Sequence, residues 1–447
     1  MKKIFYLIHL WLSVPFGLII AVICFSGAAL VFEPEIMRLC YPARYYAEKV
    51  ADKPLPLEQL IAGVNRQLPD TAPIANVQVP ASPAENYRMG FPGRGAPPLY
   101  VDPYTGAICD RSAGQGSFFA VMRRLHRWLL DDFKYGEGAS AGKVIVGVST
   151  LMFVFIIIAG IAIWIPKSRK GLRANLSIKL RFGWKRLWRD LHVALGIYAA
   201  LILLALALTG LTWSFGWYRS GFYRVFGAAP PQMAAHGNAS PPQQQSRGEV
   251  NGGGVGRSEG GSSGRRGDTS GRGDTSGRGG AGRGGAGRGN SENSGRGERQ
   301  GGENRRGGRS GENPAGSRQR GSVDYSQWQA VLDRLKEQRP SFKSLTIQDG
   351  QALVSLSSTG NIRAADVYTF DAQTGDFTGA NLYKDADRTR KLRGWIYSVH
   401  VGSWGGMATR ILTFLAALFG ATLPLTGYYL WISRYVQSRK RKKQEKF

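Results

Sequence analysis

Four stretches of the chain contain no Asp, Glu, Lys or Arg: 4–32, 144–165, 191–218 and 411–433. A helix needs about 20 apolar residues to cross a hydrocarbon core of about 30 Å, and each stretch reaches that length. The pattern predicts four transmembrane helices. The first begins Met1-Lys2-Lys3 and contains Gly27-Ala28-Ala29, features of a signal peptide, but its apolar run is too long for one and predicts a retained span.

Between the spans the period changes. In "PLEQLIAGVNRQLP", Leu57, Leu60, Ile61 and Val64 fall on one helical face. "IANVQV" and "NYRMGF" then read as short strands, and "PLYVDPYTGAI" as strand, Asp-Pro turn, strand. The same logic returns over 324–387: "YSQWQAVLDRLKEQRP" is a helix, "SLTI" and "ALVSLS" are strands, and "VYTFDAQTGDFTG" is a hairpin around a shared Thr-Gly turn. Two small α+β domains are predicted, one inserted in each half of the chain. Span, external segment, span and loop, given twice, make a parallel repeat whose axis runs along the membrane normal.

Residues 227–323 differ from all of this, being dominated by Gly, Arg, Ser and Asn. Such a segment buries too little apolar surface to offset its ordering entropy, which predicts a disordered linker. Gly282, Gly284 and Gly287 fit a dinucleotide-binding pattern there, but with no strand before and no helix after. The Arg-Gly-Asp triplets at Arg266 and Arg272 are by-products of the repeat, and His236 is a solvated histidine without a role.

Charge sets the orientation. Nine Lys or Arg and one acid lie between Lys167 and Asp190, and seven basic residues and one acid lie from Arg434 onward. By the positive-inside rule both segments, and with them both termini, face the cytoplasm. These flanks and the linker carry most of the net charge of +28, so no nucleic acid is needed to explain it. Cys24 lies in the first span, while Cys40 and Cys109 share the first external segment. An oxidising compartment permits a disulfide between those two; the alternative is a pair of small buried thiols.

The chain divides accordingly into a first span (1–33), a first external domain (34–117), an external interfacial segment with His126 (118–142) and a second span (143–166). A basic loop (167–190), a third span (191–218), the linker segment (219–323), a second external domain (324–394), an outer histidine segment with the fourth span (395–433) and a basic tail (434–447) complete it.

Four histidines recur with the repeat. His9 precedes a Ser-Gly pair ending at Gly27 and His192 a Thr-Gly pair ending at Gly210, each 18 residues on. "IIAGIAIWIP" around Gly160 and Trp164 aligns with "PLTGYYLWIS" around Gly427 and Trp431, and His126 and His400 precede these. The topology places His9 and His192 near the cytoplasmic face and His126 and His400 near the external one. A pair of neutral imidazoles from neighbouring helices is what a six-coordinate haem iron needs. Zinc usually takes more ligands, with Cys or carboxylates among them, and the spans offer only Cys24. Gly17, Gly27, Gly196 and Gly210 leave room for a macrocycle. Arg123, Arg124, Arg127 and Arg393 outside, and Arg186 and Arg189 inside, are candidate partners for propionates. Helix caps, interfacial hydrogen bonds or a proton relay are the competing readings of the histidines. Trp164 and Trp431 are interfacial belt residues with an option on the inner haem, and Trp128, Trp395 and Trp404 are candidates for an aromatic floor under an external substrate.

"YVDPYTGAI", "LHRWLL", "RDLHVALG", "VHVGSWGG" and the Gly-x-x-x-Trp endings at Gly160 and Gly427 together give a resemblance to the PepSY-associated transmembrane family of bacterial inner-membrane proteins. It covers nearly all the chain except the linker. The resemblance implies a mainly α membrane protein of four transmembrane helices in two parallel repeats, each with an inserted periplasmic PepSY domain. In members that act as ferric-siderophore reductases it further implies two b-type haems, with ligand positions matching His9, His126, His192 and His400. The long Gly/Arg insertion, and "FDAQTG" where the first hairpin has "VDPYTG", depart from a minimal member.

The expected activity is that of an oxidoreductase carrying electrons across the inner membrane to a periplasmic ferric siderophore and so serving iron transport. A quinol or a separate cytoplasmic flavoprotein is the expected donor, since no flavin domain is present in the sequence. The basic cytoplasmic surface suits such a donor or anionic lipid. The rivals are a PepSY-based binding or protease-regulating protein without redox chemistry, and a haem carrier serving another periplasmic acceptor.

Overall fold

A computed structural model describes residues 2–68, 72–92, 97–110, 118–131, 140–166, 168–179, 181, 183–230, 323–357 and 360–444, all in one structural unit. The linker motifs, including Gly282, Arg266, Arg272 and His236, lie outside the described residues.

Apolar composition produces long helices where it was expected to. The spans are α1 (Lys2–Val31), α6 (Ala141–Trp164), α8 (Trp184–Ser214) and α12 (Gly406–Gln444). Shorter helices separate them: α2 (Glu33–Cys40), α3 (Pro42–Tyr45), α4 (Leu57–Gln67), α5 (Phe118–Trp128), α7 (Arg169–Leu176), α9 (Gly216–Val225), α10 (Trp328–Gln338) and α11 (Arg388–His400). In the bundle α1 and α8 each pack against both α6 and α12, so α1 and α8 stand diagonally opposed. Across one wall the Tyr428 hydroxyl donates to Val14 O at 2.7 Å and accepts from Leu18 N at 3.2 Å, inserting into the turn around Pro15 of α1.

The third span departs from its expected limits at both ends. Its helix starts seven residues early, which brings Arg186, Arg189 and Asp190 into it. Asp190 is tolerated because it is buried against Arg186, whose Nε donates to both carboxylate oxygens at 2.9 Å. At the other end Phe215 is extended and breaks the helix, so Gly216 to Tyr218 open α9 instead.

The expected strands form β1 (Asn76–Pro80), β2 (Tyr87–Gly90), β3 (Leu99–Val101), β4 (Ile108–Asp110), β5 (Phe342–Gln348), β6 (Gln351–Leu356), β7 (Ala365–Phe370) and β8 (Phe377–Asn381). The two Thr-Gly turns are built alike. Asp102 Oδ1 accepts from Tyr104 N and Thr105 N, Asp371 Oδ1 accepts from Gln373 N and Thr374 N, and Gly106 and Gly375 both have φ of 73°.

Two separate domains were expected; the strands instead form one eight-stranded sheet, in the order β4-β3-β2-β1-β5-β6-β7-β8. The physical reason is that β1 and β5 would each be an open edge, and pairing them satisfies both. Their antiparallel register sets Val77 opposite Ile347 and Val79 opposite Leu345, which continues one apolar face across the junction. Helices α4 and α10 cover that face. Leu57, Leu60, Ile61, Val64, Trp328, Leu332 and Leu335 share a single core with both sets of strands.

The candidate Cys40–Cys109 disulfide is not formed. Cys40 is exposed at the end of α2, while Cys109 lies half-buried on β4 with Sγ 3.6 Å from Ala107 O, and both thiols are free.

Candidate functional site

The bundle holds two pairs of histidines. His9 of α1 and His192 of α8 cross the bundle toward each other near the end that carries both termini, with ring centroids 6.1 Å apart. His126 of α5 and His400 of α11 meet near the sheet-bearing end, also at 6.1 Å. The first pair comes from two spans, the second from short helices that precede the other two.

One construction positions all four rings. Each Nδ1 bonds a backbone carbonyl of a neighbouring span: His9 to Ile156 O at 3.0 Å, His126 to Ile23 O at 2.9 Å, His192 to Leu423 O at 3.2 Å and His400 to Leu206 O at 3.0 Å. A carbonyl only accepts, so Nδ1 carries the proton and Nε2 is left as the bare, metal-competent nitrogen. Four residues beyond each carbonyl stands a glycine. A Cβ would meet the imidazole Cε1 at 2.9 Å on Gly27, 3.1 Å on Gly210, 3.3 Å on Gly160 and 3.5 Å on Gly427.

The glycines therefore make room for histidines. For Gly27 and Gly210 this corrects the expectation that they face a macrocycle, because the space each leaves is taken by an imidazole. Gly17 faces Tyr428 and Pro424, and Gly196 faces Leu423.

Two hydroxyls that the sequence reading missed complete the arrangement. Thr426 Oγ1 lies 2.8 Å from His192 Nδ1 and donates to Leu423 O, and Thr209 Oγ1 lies 3.1 Å from His400 Nδ1 and donates to Ala205 O. Each hydroxyl proton is thus engaged, leaving its oxygen to accept from the ring. The signal was present as the Thr-Gly pairs themselves. Trp213 adds an edge-on ring contact to His400 at 5.0 Å.

A cavity of about 430 Å³ opens between the spans around His9 and His192. Its body is apolar, walled by Ile20, Phe153, Ile157, Ala200 and Leu203; Arg189, Arg434, Asn175 and Trp164 also line it. Trp164 Nε1 is buried without a partner. Trp431 lines the same cavity.

Whether haem suits these residues can be tested on the geometry. Two metal–nitrogen bonds of about 2.0 Å, with an imidazole half-width of about 1 Å on each side, separate ring centroids by about 6 Å. Both pairs match. The inner cavity is apolar where a macrocycle would lie and offers an orphaned indole N–H and two guanidiniums for carboxylates. Among the described residues no group of three or more His, Cys, Asp or Glu is placed to hold a metal.

The other candidates scatter. Arg189 lines the cavity and Arg186 is held by Asp190. Arg123 binds the Glu33 carboxylate, Arg124 donates to Leu130 O and Arg127 lies 4.4 Å over the Trp128 ring. Arg393 is exposed on α11, next to Leu392, which packs with Tyr223. At Gly360 an added Cβ would meet the Trp395 ring at 3.2 Å and the Trp404 carbonyl oxygen at 2.8 Å.

A four-span bundle with internal imidazole pairs, joined to an eight-stranded sheet outside the spans, defines a class of membrane protein. The chain belongs to the family described as PepSY-associated TM region, whose profile matches residues 6–434. Comparison with curated proteins gives no match.

Proposed function

We propose that this protein is a two-haem electron carrier of the bacterial inner membrane, with the sheet in the periplasm and both termini in the cytoplasm. The observation that carries the reading is the pair of 6.1 Å imidazole couples, one toward each end of the bundle. Haem held between two imidazoles supplies one-electron exchange at iron.

The protein's own residues do the rest. The Nδ1–carbonyl bonds hold each ring in one tautomer and orientation, which keeps Nε2 available. Apolar side chains between the two pairs, including Ile20, Cys24, Ala199 and Leu203, form one packed cluster. Such packing keeps water from the middle of the membrane. At the tail end, Arg189, Arg434 and the Trp164 indole are suited to hold carboxylates, and the basic flanks suit a quinol's membrane surface or a cytoplasmic flavoprotein donor. The acceptor we favour is a ferric siderophore, since one-electron reduction weakens the hold of oxygen ligands on iron.

The test is a reduced-minus-oxidised spectrum with haem quantified per chain, on wild type, His9→Ala and His400→Ala. Two haems falling to about one in each variant is the expected result. A folded protein without haem, expressed with haem available, overturns the reading and leaves the PepSY sheet as the functional part.

A further inference from the structure

Outside the bundle, three arginines stand on three elements that meet near one buried tyrosine. Tyr223 of α9 is 2 % exposed and packs with Phe222, Ala228, Leu392 and Ile396, which joins α9 to α11. Arg219 lies one helical turn before Tyr223 on the same face of α9. Arg393 shares a face of α11 with Ile396 and Tyr397, and Arg363, from the β6–β7 connection, lies 3.7 Å over the Tyr397 ring. Burial pushes the Tyr223 phenol above its ordinary pKa, and the positive charges of Arg393, Arg219 and Arg363 draw it back. The α9–α11 packing at Tyr223 thus brings together the faces that carry Arg219 and Arg393, and Arg363 joins them by stacking on Tyr397.

These charges are not neutralised locally. Neither α9 nor α11 contains an Asp or Glu, and among the described residues none of the three arginines forms an ion pair. Two neighbouring cations on α11 are already engaged: Arg390 by Asn381 and Ala365 O, Lys391 by Lys384 O. Three guanidiniums held together without a carboxylate repel one another, and a multiply charged oxyanion relieves that repulsion with several charge-assisted hydrogen bonds. The location matters too. Arg393 precedes His400 by seven residues on one helix, about 10 Å along its axis.

We propose that Arg219, Arg363 and Arg393, where α9 packs on α11, form a binding site for a multiply charged carboxylate or phosphate ligand. Its occupant is the anionic metal chelate that takes electrons from the outer histidine pair. The identity of that occupant rests on the electron-carrier reading above; the anion site rests on the arginines alone.

The experiment uses the full chain in nanodiscs of neutral phosphatidylcholine, with gallium citrate as a redox-inert anionic chelate, binding followed by calorimetry and haem counted in parallel. Wild type is expected to bind, more weakly as salt rises. Arg219→Gln with Arg363→Gln is expected to weaken binding at least tenfold with haem content and melting temperature unchanged, and Arg363→Lys to weaken it less. Equal binding by the double Gln variant overturns the site. So does loss of binding when phosphatidylglycerol replaces part of the lipid, because a lipid headgroup is then the occupant. A chain with two haems that fails to bind gallium citrate overturns the site and spares the electron-carrier reading; a chain that binds it but holds no haem does the reverse.

Discussion

His192 Nδ1 stands 2.8 Å from the hydroxyl of Thr426, which itself donates to Leu423 O at 2.8 Å. His400 has the matching partner in Thr209. Their counterparts are held more simply: Ser26, at the position matching Thr209, directs its hydroxyl to Val22 O and Ile23 O, and Ala159 has no hydroxyl to offer His9. Within each pair, then, one imidazole has two Nδ1 acceptors and its partner one carbonyl.

Thr426→Val keeps the side-chain shape and removes the second acceptor. The expected cost in stability is about 1 kcal/mol, the net worth of one hydrogen bond. Acceptors on Nδ1–H raise the basicity of the ligating nitrogen, so on the electron-carrier reading the inner centre's reduction potential rises in Thr426→Val and the outer one is unchanged. Thr209→Val is expected to raise the outer centre's potential and leave the inner one unchanged. Potentiometric titration followed in the visible spectrum reads both, and equal shifts at both centres in either variant would count against a local effect.

The glycines give a graded series. An added Cβ comes within 2.9 Å of the His126 ring at Gly27, where something must move, but within an ordinary 3.5 Å of the His192 ring at Gly427. Gly27→Ala is expected to cost about 1–3 kcal/mol, as overpacking of a filled site does, and, on the electron-carrier reading, to lose the outer haem. Gly427→Ala is expected to keep both haems. Haem per chain and melting temperature of the two variants decide it.

How much of this was legible in the sequence follows from the range of each interaction. Hydropathy showed the four spans and period showed Leu57, Leu60, Ile61 and Val64 as a buried face, because those signals are local. Orientation and order were enough to group His9 with His192 and His126 with His400. What stayed hidden depends on side chains meeting across helices. The glycine opposite His126 is Gly27 of another helix, and no spacing along the chain reports that contact. Asp190 was missed because helix α8 continues past its apolar stretch, where pairing with Arg186 offsets the cost of burial. The joined sheet was missed because β1 and β5 each look complete as members of their own domain.

An acid-sensitive tie links the end of α1 to α12. Arg410 hydrogen-bonds Glu35 and Val31 O, and the Glu35 carboxyl is held below its ordinary pKa, chiefly by the bond from Arg410. A depressed carboxylate pKa contributes stability that is complete above the unfolded pKa and is lost as pH falls through the folded one. Glu35 is partly exposed, so solvent screening keeps the contribution to at most about 1 kcal/mol. Glu35→Gln is expected to melt slightly earlier than wild type at neutral pH and together with it once Glu35 is protonated in both states. A gap that persists or widens in acid would contradict the assignment.

The joined sheet makes a prediction about cooperativity. Trp328 of α10 is fully buried in a core that includes Leu57 of α4 and strands from both halves of the chain, and Gln329 beside it accepts from Leu57 N at 3.0 Å. Trp328→Ala is expected to cost about 3–5 kcal/mol through the cavity it leaves. Because one core serves both halves, the amides of β2 and β6 should lose hydrogen-exchange protection together, although Trp328 belongs to the second half alone. Trp328→Phe keeps a ring and removes an indole N–H that has no partner, so its cost is much smaller. Exchange measured by mass spectrometry on peptides covering Tyr87–Gly90 and Gln351–Leu356 separates the cases: loss confined to the second peptide would mean two independently stable domains that merely share a sheet edge.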